Sequence, residues 1–187
     1  MNRIFLHMNL KQVFLLLLLA TTTQAQNVLR TGVLVVGGGT GGSAAGIQSA
    51  RMGVPTIVAE PTVWLGGMFS AAGVAAFDGN HKMPSGIWNE LRQQLYQVYG
   101  GPNAVATGWV SNTQFEPRVG DSIMKRLAVA APALRVLYQT HFEKVLVQGG
   151  TVTGAVFKQM PGGKRITIYA QQVIDATELG DVLASAG

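Results

Sequence analysis

A glycine-rich turn between two apolar segments most constrains what this chain can fold into. The first segment, residues 33–36, is followed by glycines with the spacing G-x-G-x-x-G, namely Gly37, Gly39 and Gly42. Small residues that suit a closely packed helix come next, and a second apolar segment, residues 56–59, ends at Glu60. A strand, a glycine turn, a helix and a second strand in this order predict the βαβ unit of a dinucleotide-binding site.

The glycines and the acid indicate how the dinucleotide is held. The first glycine permits a tight turn out of the strand, the second lets a pyrophosphate approach the backbone, and the third, together with Gly46, lets the helix lie close to the sheet. The start of the helix presents N–H groups and a positive dipole end to phosphates. The predicted phosphate-binding residues are therefore Gly37, Gly38, Gly39, Thr40, Gly41 and Gly42. Glu60 is predicted to accept hydrogen bonds from ribose hydroxyls.

The first 25 residues have the pattern of a secretory signal peptide. Arg3 and Lys11 precede the apolar residues 13–20, and small residues suited to cleavage end at Ala25. We therefore predict a signal peptide at 1–25 and one domain at 26–187, in an exported, periplasmic or extracellular protein without a stable membrane span once the signal is cleaved. An uncleaved N-terminal anchor is the alternative.

Composition excludes several classes of site. The sequence contains no cysteine, so a disulfide, a thiolate metal site and a redox-active thiol are excluded. The formal net charge is +5, but the basic residues are scattered, and we predict no nucleic-acid partner. The spacing of His81, Asp78 and Glu90 matches no known metal-ligand motif, and we predict no metal site.

Hydrophobic periodicity organises the remaining residues. Helical spacing predicts two amphipathic helices, one with Ile87, Leu91, Leu95 and Val98 and one with Val119, Ile123, Leu127 and Ala130. After residue 134 the period becomes two, which predicts four short strands at 135–139, 144–148, 152–157 and 165–169, and a last apolar strand follows at 172–175. The predicted fold class is α/β: a Rossmann-like parallel sheet with an inserted antiparallel β-meander and a helical segment. We expect an N-terminal fragment of a larger two-lobed fold, because the chain stops just after a strand and a helix start.

These elements occur in the order seen in two-lobed FAD flavoproteins of the glutathione-reductase-like fold, which the chain resembles from Val33 to Gly187. The resemblance rests on the glycine turn, Glu60, the glycine pair at 66–67, the meander and the segment 173–181. The chain is most similar to exported bacterial FAD-dependent oxidoreductases, some of them labelled xanthan lyase-associated. That subgroup is indicated by motifs between Trp64 and Glu116, such as Asp78-Gly-Asn and Pro84-x-Gly-Ile-Trp88.

The resemblance implies FAD as the cofactor and adds further contacts. It places Gly66, Gly67 and Met68 near the pyrophosphate and the flavin, and it implies an adenine contact through the backbone of Val145. After the last strand such flavoproteins have the sequence Ala-Thr-Gly, whereas in this chain Thr177 is followed by Glu178 instead of glycine. The resemblance still places Thr177 and Asp181 beside the cofactor. The glycine fingerprint alone fits NAD(P) equally well, and only the later elements favour FAD.

No residue is predicted as the catalytic acid or base. His81 lies in a polar loop, where a solvated histidine is commoner than an acid/base or substrate-binding one, and its neighbours are Asp78, Asn80 and Lys82. Core packing is the commoner use of the tryptophans, although they could line a glycan or flavin pocket: Trp64, Trp88 and Trp109. Asp175 and Asp181 suit capping positions as well as cofactor contacts.

We therefore predict an exported FAD-dependent oxidoreductase that transfers hydride or electrons between its flavin and a small-molecule or carbohydrate-derived substrate. An NAD(P)-binding dehydrogenase is one alternative. The other is a truncated, non-catalytic remnant that binds a cofactor or a glycan.

Overall fold

The computed structural model describes residues 27–107, 109 and 111–187, and the predicted signal peptide at 1–25 lies outside them. The elements are β1 (Asn27–Val36), α1 (Thr40–Arg51), β2 (Thr56–Ala59), α2 (Gly86–Tyr99), α3 (Pro102–Val105), α4 (Pro117–Val129), β3 (Leu134–Leu137), β4 (Thr140–Gln148), β5 (Thr151–Gln159), β6 (Lys164–Asp175) and α5 (Asp181–Ala186), with a 3-10 turn at Gly67–Phe69. None of the helices in the described part is long and apolar enough to cross a membrane.

All six strands form one sheet in the order β3-β2-β1-β6-β5-β4. Parallel pairs join β3 to β2, β2 to β1 and β1 to β6, whereas β5 is antiparallel to both β6 and β4. The helix α1 returns the chain from β1 to β2, as a parallel pair requires. The predicted α/β class, a parallel sheet carrying an antiparallel meander, is confirmed.

The strand β6 joins the two halves of the sheet. We predicted two strands, at 165–169 and 172–175, but the structure has a single strand that pairs with β5 near its start and with β1 along its length. Gln171 and Gln172 are exposed, so they interrupt the apolar pattern without interrupting the strand. The segment predicted as the first meander strand, 135–139, corresponds to β3 and belongs to the parallel half.

Apolar side chains fill both sides of the central sheet. Leu34 and Val36 of β1 pack with Phe157 and Ile168 in a core shared with the meander and α5. Val35, between them in sequence, is also fully buried. Burial on both faces is the normal state of a central parallel strand.

A second core lies among α1, α2, α4 and the loop that carries the 3-10 turn. The predicted helical rows bury their central members in it: Leu91, Leu95, Ile123 and Leu127. The prediction was wrong for the last residue of each row, which is exposed instead of buried. Val98 is exposed because the core-facing row continues to Tyr99, and Ala130 is exposed because α4 ends one residue earlier.

Candidate functional site

The first glycine turn leaves β1 at the centre of the sheet. Gly37 has a φ of +100°, and a Cβ on it would collide with the carbonyl group of Ala176, the residue after β6. A Cβ on Gly42 would overlap the carbonyl oxygen of Gly37, and a Cβ on Gly46 would overlap a methyl group of Val58 in β2. Glycine is therefore required at these positions because backbone, helix and neighbouring strands approach closely.

The start of α1 points its N–H groups toward the same turn. Its first intrahelical hydrogen bond joins the Ser43 N–H to the Gly39 oxygen at 2.9 Å, so the N–H groups of Thr40, Gly41 and Gly42 have no partner within the helix. This turn carries no acidic side chain. Because the positive end of the helix dipole lies here, the turn can bind an anion.

Glu60 closes the turn from the end of β2. Its side chain accepts the Gly38 N–H and the Thr62 N–H, each at 2.7 Å, and the residue is 6% exposed. A carboxylate has about four acceptor positions, so about two remain for a ligand. The structure thus brings the predicted ribose acceptor to the predicted phosphate turn.

The second glycine pair lies directly against the first turn. Gly66 and Gly67 both have positive φ angles, of 107° and 55°. The Gly66 N–H donates to the Gly38 oxygen at 2.9 Å, and the Thr40 hydroxyl donates to the Gly66 oxygen at 2.8 Å. Met68 follows with its side chain exposed. The two glycine segments therefore lie side by side, and the predicted contact of Gly66 and Gly67 with the cofactor stays a prediction.

An acid and a lysine on α4 hold the loop before the second glycine pair. Asp121 accepts the buried Leu65 N–H at 2.8 Å with one oxygen and the Lys125 ammonium at 2.8 Å with the other. Lys125 also donates to the Val63 oxygen at 2.6 Å. The sequence does not predict this clamp, because its one local signal is an Asp–Lys pair at i,i+4 on a predicted helix.

We predict that Asp121→Ala lowers the free energy of unfolding by about 2–3 kcal/mol, because it leaves the buried Leu65 N–H without its charged acceptor. FAD affinity should fall as well, since the loop that carries Gly66 is released. Urea denaturation and a cofactor titration measure the two effects. Glu90→Ala, which removes an exposed ion pair with Arg51, is the control and should cost less than about 1 kcal/mol. Equal losses in the two variants would contradict the clamp.

Tyr138 lies at the edge of this clamp. Burial is the largest cause that raises the pKa of its phenol, and the negative charges of Asp121 and Glu60 raise it further. The Lys125 ammonium lies 5.3 Å from the ring centroid, a cation–π distance. The ring therefore remains neutral between the clamp and the acid at the end of β2.

The residues after β6 form a capped turn into α5. Asp175 accepts the Thr177 N–H and hydroxyl with one carboxylate oxygen and the Leu183 N–H with the other, at 2.7–3.0 Å. The Thr177 hydroxyl in turn accepts the Asp181 N–H at 2.8 Å. Asp175 thus acts as a cap for α5, one of the two roles we considered for it.

The cap should make stability depend on pH. Partial burial by itself raises the pKa of Asp175, but the donors from Thr177, Leu183 and Val182 bring it below its ordinary value of 3.8. Because the folded-state pKa is lowered, the stabilisation is complete above that ordinary value and is lost as the pH falls through the folded-state pKa. We predict that Asp175→Asn lowers the melting temperature at pH 7 and that the difference from the unaltered protein shrinks below about pH 4. Thermal melts followed by circular dichroism between pH 7 and about pH 3 test this prediction. A difference in melting temperature that does not change with pH would contradict the capping role of Asp175.

A cavity of about 1130 Å³ opens where the C-terminal ends of β1, β2 and β6 meet. On one side β1 pairs with β2, the next strand in sequence, and on the other side with β6, the last described strand. The cavity therefore lies at the switch point of the strand order, where open α/β sheets bind ligands. The predicted site residues that line it include Gly37, Gly39, Glu60, Gly67, Met68, Thr177 and Asp181. The volume slightly exceeds the roughly 300–1,000 Å³ of ordinary small-molecule pockets, as a dinucleotide requires.

Val145 is not among the residues that line this cavity, and its predicted adenine contact has no support in the geometry. The residue is buried in the meander core, and its N–H donates to the Ser185 hydroxyl at 3.2 Å. The strand β4 reaches the cavity with residues 140–143 instead. The strand β4 begins four residues earlier than the predicted strand at 144–148, and it is this added first part, not Val145, that lies at the cavity.

The remaining candidates lie apart from the cavity. His81 is exposed, with its Nδ1 3.3 Å from the Asn112 amide nitrogen. Trp88 packs on Phe77 with ring centroids 4.9 Å apart, and Trp109 is 93% exposed. Within the residues that the structure describes, no group of three or more His, Asp or Glu side chains could hold a metal ion.

Comparison with protein families gives one match. The model of a family described as FAD dependent oxidoreductase matches residues 32–187, which include every predicted site residue. The curated proteins contain no match.

Solved structures share the fold. THI4 of Thermovibrio ammonificans is 18% identical with a TM-score of 0.56, over 94% of this chain and 67% of that one. A geranylgeranyl bacteriochlorophyll reductase-like protein of Thermoplasma acidophilum is 22% identical with a TM-score of 0.56, over 86% and 43%. The glycerol-3-phosphate dehydrogenase of Bacillus halodurans, solved with FAD, is 17% identical with a TM-score of 0.51, over 79% and 34%. This chain thus spans about a third to two thirds of the length of these proteins.

Proposed function

The chain belongs to the FAD dependent oxidoreductase family, and on that premise we propose that residues 26–187 form the FAD-binding part of an exported oxidoreductase. The family decides between the two dinucleotides that the glycine fingerprint left open, and the cofactor is FAD. Bound FAD supplies hydride or electron transfer. The residues of this chain hold and orient it.

The observation that carries the proposal is the meeting of Glu60 with two glycine turns on one cavity. The residues fit FAD in three respects: the cavity volume suits a dinucleotide, the missing side chain at Gly39 lets a pyrophosphate approach the start of α1, and Glu60 keeps acceptor positions for ribose hydroxyls. Thr177 and Asp181 line the same cavity and are proposed to flank the cofactor.

The substrate and the location of the protein are further parts of the proposal. The order of the glycine turn, Glu60, the glycine pair at 66–67, the meander and the segment 173–181 supports a glutathione-reductase-like flavoprotein. The motifs between Trp64 and Glu116 support a place among its exported, xanthan lyase-associated members. We propose a small-molecule or carbohydrate-derived substrate. The signal-peptide pattern at 1–25 supports export. The scattered basic residues support the absence of a nucleic-acid partner.

Expression of the full chain in a bacterium, with separate purification from cytoplasm and periplasm, tests the proposal. We expect the exported form to begin at Gln26 by intact mass and to keep flavin absorption bands after desalting with FAD. A folded protein that stays colourless would contradict FAD binding and favour a glycan-binding or remnant role. An uncleaved cytoplasmic protein would contradict export alone.

A further inference from the structure

The turn after β6 places a carboxylate beside both glycine turns. The Glu178 Oε1 atom lies 3.3 Å from the point where a Cβ on Gly39 would stand and 3.5 Å from the corresponding point on Gly67. Gly39 is the glycine whose missing side chain lets a pyrophosphate approach the backbone. The carboxylate therefore lies in the volume that the proposed function assigns to the pyrophosphate.

Nothing in the described part of the chain neutralises this carboxylate. Glu178 makes no hydrogen bond or ion pair with any described residue, and it is exposed. Of the other acids on the cavity, Glu60 accepts two N–H groups, Glu143 pairs with Arg165 at 2.8 Å, and Asp181 lies in the first turn of α5. No described lysine or arginine lines the cavity. The positive end of the α1 dipole lies close to this carboxylate and attracts it.

A pyrophosphate and this carboxylate compete for the same place. Both are anions that the N-terminal end of α1 attracts, and both cannot stand beside Gly39 at once. Because Glu178 is exposed and unbonded, rotation about its side-chain torsions can move its carboxylate into solvent without a backbone change. After that movement a negative charge still remains close to the phosphates.

We propose that Glu178 sets the affinity of the site for FAD, because its carboxylate occupies the pyrophosphate position and has to swing outward before the cofactor binds. The inference rests on the proposed function. It predicts that a neutral side chain of the same size at this position strengthens binding.

The test compares Glu178→Gln with the unaltered chain in full length, by titration of FAD fluorescence at low salt. We expect FAD to bind about three- to tenfold more tightly to the variant, the size expected for removal of one exposed like charge. The gain should shrink in about 1 M salt, where the Debye length is about 3 Å. Adenosine, which carries no phosphate, should bind equally to both proteins.

Glu90→Gln is the matched control, since it makes the same chemical change at a glutamate that pairs with Arg51 and does not line the cavity. Its FAD affinity should stay within about twofold of the unaltered chain. Equal FAD affinity of the Glu178→Gln variant and the unaltered chain would overturn the inference and leave the proposed function standing. A gain for adenosine, or the same gain in Glu90→Gln, would also overturn it. Absence of FAD binding by every protein would refute the proposed function itself.

Discussion

Glu60→Ala is expected to weaken FAD binding on the order of 100-fold, because a hydrogen bond to a charged acceptor contributes about 1.5–3 kcal/mol and about 1.4 kcal/mol corresponds to a tenfold change. The side chain already binds the N–H groups of Gly38 and Thr62, so its remaining acceptor positions face the cavity from a fixed orientation. Alanine removes these positions and also leaves the two N–H groups without their acceptor.

Two measurements separate the lost contact from damage to the fold. Urea denaturation without cofactor measures stability, and titration with FMN, which has no adenosine ribose, measures binding that does not depend on this contact. We expect the variant to lose FAD affinity, while its FMN affinity stays within about twofold of that of the unaltered protein. A twofold change corresponds to far less than the about 1.4 kcal/mol of a tenfold change. A folded variant with unchanged FAD affinity would show that the assignment of the ribose to Glu60 is wrong.

Gly42→Ala is expected to lower the free energy of unfolding by about 3 kcal/mol or more, at the upper end of overpacking effects. The added Cβ would overlap the carbonyl oxygen of Gly37 and approach the Ala176 side chain to 2.9 Å. Because the first collision is with backbone, no rotamer relieves it, and α1 has to move away from β1 and β6. The anion-binding turn moves with the helix.

Gly41→Ala is a matched control one residue away. No atom lies within 4 Å of a Cβ on Gly41, so the change should be tolerated and should gain up to about 1 kcal/mol from helix propensity. Denaturant unfolding of the two cofactor-free variants checks the pair. Similar stabilities would mean that α1 does not pack against the turn as described.

The βαβ unit and its acid were predictable because local chemistry determines them. A tight turn needs Gly37, a close helix needs Gly42, and the acid at the end of β2 lies at a fixed distance along the chain from both. The buried rows of α2 and α4 were predictable for the same reason, since helical periodicity is a local property.

Features that depend on distant segments were not predictable. The Asp121 clamp needs α4 to pack beside a loop that is far away in sequence, and the spacing of Asp121 and Lys125 also suits an ordinary surface pair. The contact of residues 140–143 with the cavity was missed because they lie before the predicted strand, and strand boundaries are the least certain part of a sequence pattern. The position of Glu178 follows from the turn after β6, which no periodicity describes.

The pairing of β1 with β6 also has a consequence for how the protein folds. The first described strand of the chain is central in the sheet, yet one of its two hydrogen-bonded neighbours, β6, is synthesised after all the other described strands. Until that neighbour emerges from the ribosome, one side of β1 exposes unpaired backbone groups, the condition that promotes association between chains. Such a long-range pairing raises the contact order and slows folding. The export proposed above, if it takes place before folding, would postpone this vulnerable interval until β6 has also crossed the membrane.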